Sequence, residues 1–111
     1  MLPRLKRVLL NSEYEIVLTE RMSGCGRGRS GPHLYGMILP DQHKILIKRS
    51  ISLAERTRTL IHELLHAVYP TWCEDLVEQT TLKMYSYMSD RDKGFFMFFV
   101  QSPADRMLHF R

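Results

Sequence analysis

The sequence has only two cysteines, Cys25 and Cys73, and they carry no Cys-x-x-Cys spacing. A disulfide scaffold and a four-cysteine zinc ribbon are therefore excluded. No window approaches the roughly 18 uncharged apolar residues of a membrane helix, so no span and no membrane partner are expected. The opening stretch, MLPRLKRVLLNSE, lacks a continuous apolar segment and a small-residue cleavage site. It does not read as a signal peptide, and a cytoplasmic location is expected. Neither sign of charge dominates: 16 Lys and Arg against 12 Asp and Glu leave a net charge of +4. That balance permits contact with nucleic acid without requiring it, because the basic residues are scattered. Glycine is scarce outside one place. Four of the six glycines fall in SGCGRGRSGP at 23–32, where nothing apolar anchors the chain and a mobile loop is expected.

What is present is an ordinary globular composition of 111 residues, 44% hydrophobic and 25% charged. That is enough for one domain and one core. Residues 1–11 fit a helix or a strand equally well. Residues 14–19 (YEIVLT) are rich in β-branched and aromatic side chains and read as a strand. Residues 33–39 and 44–48 (KILIK) flank Pro40-Asp41-Gln42-His43 and read as a hairpin. Ser52-Leu53-Ala54-Glu55 has the form of a capping box, so a helix should run from there to Tyr69 and stop before Pro70. Thr71-Trp72-Cys73-Glu74 repeats the form, so a second helix should follow at once and end near Ser89. The segment 94–100 holds four of the five phenylalanines and is expected to be core.

Inside the first of these helices lies His62-Glu63-Leu64-Leu65-His66. Histidines four apart project from one helical face, so both imidazoles can reach one metal ion. A glutamate beside the first of them can take the proton of a metal-bound water. In a chain of this composition about 0.01 such motifs are expected by chance. At 100° per residue, Leu60, Ile61, Leu64, Leu65, Ala67 and Val68 fill one apolar arc of about 160°, and His62 and His66 fall outside it. The pair is thus not part of the core stripe.

A catalytic zinc takes three protein ligands and keeps one position for water. Candidates for the third are Glu74, Asp75 and Glu78 on the second helix, or His33, His43 and His109. If the second helix returns antiparallel, Glu78 comes level with His62 and Glu74 with His66. Glu78 is the expected ligand, since Glu74 would serve as the third residue of the Thr71 capping box. Glu74, Glu78 and Tyr85 share one strip of the helix. Among Tyr69, Tyr85 and Tyr87, Tyr85 is the best placed to donate to a transition-state oxyanion. Cys73 is expected to be a small buried residue.

The segment at about 35–88, KILIKRSISLAERTRTLIHELLHAVYPTWCEDLVEQTTLKMY included, resembles the active-site core of small zincin metallopeptidases. It is similar to the gluzincin type of the ImmA/IrrE group and of short phage-type metallopeptidases, and more distantly to SprT-like proteases. The resemblance implies a minimal zincin fold, α+β, with a small, mostly antiparallel sheet on the HExxH helix. It implies His62, His66 and Glu78 as zinc ligands, Glu63 as general base, and a protein or peptide substrate laid along the strand at 33–39. The nearby downstream histidine ligand of SprT-like proteases has no counterpart before His109. The fused helix-turn-helix common in ImmA-type proteins is not expected within these 111 residues. The expected activity is peptide hydrolysis. The competing expectation is a non-catalytic binding module, held by a structural metal or by the helix pair alone, whose basic loop at 26–29 contacts a protein or nucleic acid.

Overall fold

Residues 1–20 and 35–105 are described by the structure, a computed structural model. The glycine-rich stretch at 23–32, with Cys25, and the candidate ligands His33 and His109 lie outside them. The chain is α+β, as expected. The open assignment at the start resolves as helix α1 (Leu2–Leu10), with a proline in its first turn and Leu5, Val8 and Leu9 buried on one face. That spacing repeats every third or fourth residue, which suits a helix and not a strand. Strand β1 (Glu15–Thr19) follows, then β2 (Gly36–Leu39) and β3 (Lys44–Lys48).

The sheet order is β1-β3-β2. β2 and β3 form the expected antiparallel hairpin, with Gly36 opposite Ile47 and Leu39 opposite Lys44. A single 3-10 turn over Pro40–Gln42 joins them, closed by His43 at φ 53° whose N–H donates to the Pro40 carbonyl at 3.2 Å. β1 pairs with β3 in parallel, so the sheet is mixed and not mostly antiparallel. β3 is central, paired with β1 on one side and β2 on the other, and its burial alternates along Lys44–Lys48. Ile45 and Ile47 turn to the core and are completely buried.

Helix α2 (Leu53–Val68) packs on that face with Leu60, Ile61, Leu64 and Leu65 fully buried. The Ser52 hydroxyl accepts from the Glu55 amide at 3.1 Å, as the capping reading requires. At the other end the helix stops at Val68, with Tyr69 as its cap and Pro70 beyond. Helix α3 (Glu74–Tyr87) begins later than expected. Its cap residue is Cys73, which is exposed and makes no side-chain cap bond, so the Thr71 capping box does not form and Cys73 is not buried. The reason lies in the turn. The Trp72 amide donates to the Tyr69 carbonyl at 3.1 Å, and the two rings stack at 4.3 Å, which holds residues 70–73 out of helical geometry.

The phenylalanine-rich segment lies mostly within helix α4 (Asp90–Phe98), capped by Ser89 through the Asp92 amide at 3.1 Å. Phe96 and Val100 are buried, Phe95 and Phe99 pack against the core, and Phe98 is 61% exposed. The segment is thus core on one side only, because a helix buries a stripe and not a run. No helix among the described residues is long and apolar enough to cross a membrane.

The end of the described chain is tied to the start of α2 by Arg56, a 5% exposed cation. Its guanidinium donates to the Ile51 and Val100 carbonyls at 3.1 and 2.6 Å, and to both Asp105 oxygens at 2.8 and 3.2 Å. The hydrogen bond from Arg56 is the largest influence on Asp105. With the Ser102 amide and hydroxyl it holds the Asp105 carboxyl far below its ordinary 3.8, against the opposing effect of burial. A depressed folded pKa means that the stabilisation is complete above the ordinary value and is lost as the pH falls below it. Asp105→Ala is therefore expected to cost about 3 kcal/mol at neutral pH, since it strands a buried guanidinium. The melting temperature of the wild type should fall toward that of the variant as the pH drops below 3.8, which thermal scans across pH would read.

Candidate metal centre

Burial of the apolar arc fixes the rotation of α2, and His62 and His66 then face α3. His62 is 7% exposed beneath that helix, and His66 is half-buried. Their ring centroids lie 5.0 Å apart, inclined by 60°. The Glu74 carboxylate spans the pair. One oxygen lies 3.0 Å from His62 Nε2 and the other 2.7 Å from His66 Nε2. Ligand atoms of His62, His66 and Glu74 fall within 4.8 Å of one another, so the three can hold a metal ion. The donor set fits: two imidazole nitrogens and one carboxylate suit a borderline divalent cation.

The expected register of α2 against α3 holds, because Glu74 does reach His66 and Glu78 does reach His62. The assignment between them changes. Glu78 Oε1 lies 2.9 Å from Nδ1 of His62, while Glu74 meets the Nε2 of both rings. The delayed start of α3 explains the difference. With no capping box at Thr71, Glu74 is the first residue of the helix and its side chain has no capping duty. Its carboxylate also sits favourably at the positive end of the helix dipole.

The remaining candidates lie elsewhere. Asp75 is exposed and does not join the group. His43 occupies the hairpin turn beside Tyr14, with ring centroids 6.0 Å apart. Tyr85, the expected oxyanion donor, is engaged by cations: Arg58 and Lys93 lie 5.3 and 4.7 Å from its ring centroid. It stands seven residues beyond Glu78, about 10 Å along the helix axis. Tyr69 stacks on Trp72, and Tyr87 is 82% exposed.

Glu63, the candidate base, is only 2% exposed and lies against strand β2. The contact depends on Gly36, a residue that motif reading overlooked. A Cβ at position 36 would overlap the Thr59 methyl and come 3.3 Å from both Cγ and Oε2 of Glu63. A lone glycine in an otherwise apolar strand is the available signal, since it often marks a close approach. Comparisons with protein-family models, with curated proteins and with solved structures returned no match to this chain.

Two outcomes follow from this geometry. Glu74→Ala should lower metal affinity by orders of magnitude while costing the metal-free fold about 1–2 kcal/mol, from the lost dipole interaction and the two histidine contacts. Metal titration alongside thermal melts separates the two effects. Gly36→Ala should destabilise by about 1–3 kcal/mol through overpacking, and adding Thr59→Ser should recover most of it. Serine lacks the overlapping methyl but keeps the hydroxyl that donates to the Glu55 carbonyl at 2.7 Å. Denaturant midpoints of the single and double variants are the check.

Proposed function

We propose that the chain is a zinc-dependent metallopeptidase whose centre is His62, His66 and Glu74, with Glu63 as general base. The observation that carries the reading is the Glu74 carboxylate lying between the Nε2 atoms of two histidines one helical turn apart. With the adjacent Glu63, it supplies the two-histidine, one-carboxylate set and the base that zinc hydrolases use. Zinc, when bound, supplies Lewis acidity that lowers the pKa of water and polarises a carbonyl.

The protein's own groups do the rest. Glu63 takes a proton from the attacking water and passes it to the leaving amine. It is 2% exposed and lies against Gly36 of β2, so the carboxylate is held in place. β2 is an edge strand of the sheet. The Lys48 amide donates to the Tyr35 carbonyl at 2.7 Å, so by alternation Tyr35, Met37 and Leu39 bond toward β3. Gly36 and Ile38 then direct their backbone groups outward, where an extended peptide can add as a further strand.

A second reading, a metal that only ties α2 to α3, draws on the same burial of Glu63. One variant separates them. Glu63→Gln keeps size and hydrogen bonding but cannot accept the proton. It is expected to retain zinc and the wild-type melting curve while hydrolysis of casein or a peptide library falls at least ~10²-fold. Equal cleavage by wild type and variant would overturn the assigned chemistry, and no cleavage by a zinc-loaded wild type would favour the structural metal.

A further inference from the structure

Helix α3 carries two carboxylates one turn apart, and both end on the same imidazole. Glu74 Oε2 lies 3.0 Å from Nε2 of His62, and Glu78 Oε1 lies 2.9 Å from Nδ1. The ring between them is 7% exposed, so both contacts act on a side chain that solvent hardly reaches. A neutral imidazole carries one proton and offers one lone pair. A cation taken at Nε2 needs the lone pair there, which leaves the proton on Nδ1 and calls for an acceptor beside it. Glu78 Oε1 stands where that acceptor must be. An oxygen bonded at Nδ1 also lies off the opposite edge of the ring from Nε2, away from the point where His62, His66 and Glu74 converge.

We infer that Glu78 is a positioning residue for His62 and not a metal ligand. Its carboxylate accepts from Nδ1–H, selects the tautomer that leaves Nε2 open, and stops the ring from turning its edge away from His66 and Glu74. This rests on the reading of the site as a metal centre. The i, i+4 spacing of Glu74 and Glu78 lets one helix deliver both functions, the ligand at its first turn and the acceptor one turn on.

Zinc titrations against a chromogenic chelator test the assignment on the whole chain, with no need of a substrate. The variants are Glu78→Gln, Glu78→Ala and Glu74→Gln, with metal-free thermal melts of each. Glutamine at 78 still offers a carbonyl oxygen to Nδ1–H, so Glu78→Gln should bind zinc nearly as the wild type does. Glu78→Ala should bind about 10–100-fold more weakly, the usual cost of losing such a partner. Glu74→Gln should lose more than Glu78→Ala. If Glu78→Gln falls as far as Glu78→Ala, residue 78 binds the metal itself and the inference is overturned. It is equally overturned if Glu78→Ala binds zinc like the wild type, even with a lowered melting temperature, since the contact is then a surface ion pair. A wild-type chain that takes up no zinc removes the metal-centre reading and this inference together.

Discussion

Burial of Leu60, Ile61, Leu64 and Leu65 sets the rotation of α2 about its axis, and every feature of the site depends on that rotation. The four side chains are completely excluded from solvent against a core shared with Ile45, Ile47, Leu5, Val77 and Phe96. Each is worth on the order of 2 kcal/mol of transfer free energy, so turning the helix to hide the histidines instead would be prohibitive. With the apolar arc inward, His62 and His66 are left on the flank that α3 covers. Their own polarity plays little part in placing them.

The reversal between α2 and α3 decides what they meet there. Pro70 ends the first helix, and the stack of Trp72 on Tyr69 delays the second until Glu74. The delay takes Glu74 out of a cap and makes it the first helical residue, beside the last turns of α2. One helical turn then separates it from Glu78, and the two carboxylates bracket His62. A turn residue and an aromatic contact, neither of them chemical in function, thus choose the bridging carboxylate.

The flank of α2 next to the histidines is fixed by other means. Gly36 lets β2 approach so closely that Thr59 and Glu63 lie against its backbone, which keeps the Glu63 carboxylate beside the sheet edge. Arg56, at the other end of the helix, holds residues 100–105 through a carbonyl and a carboxylate. α2 is therefore clamped by its apolar arc, by a missing side chain and by a buried cation, so the histidine face is held by a rigid element and not by a loop.

Much of this was legible from the chain alone. The α2 cap, its end at Pro70, the hairpin over residues 36–48 and the rotation that turns His62 and His66 out of the apolar arc all follow from local patterns of period two or 3.6. Such patterns depend only on neighbours within a few residues. The antiparallel register of Glu74 with His66 and Glu78 with His62 was legible for the same reason, being a count of residues across one turn. What local pattern could not decide was which carboxylate spans both Nε2 atoms, since Thr71 offered a cap that the Tyr69–Trp72 stack overrode. Nor could it show that β1 joins β3 in parallel, that Asp105 returns to Arg56, or that Gly36 lies on Glu63. Each of these is a contact between residues far apart in sequence, and only the packing of the whole core brings them together.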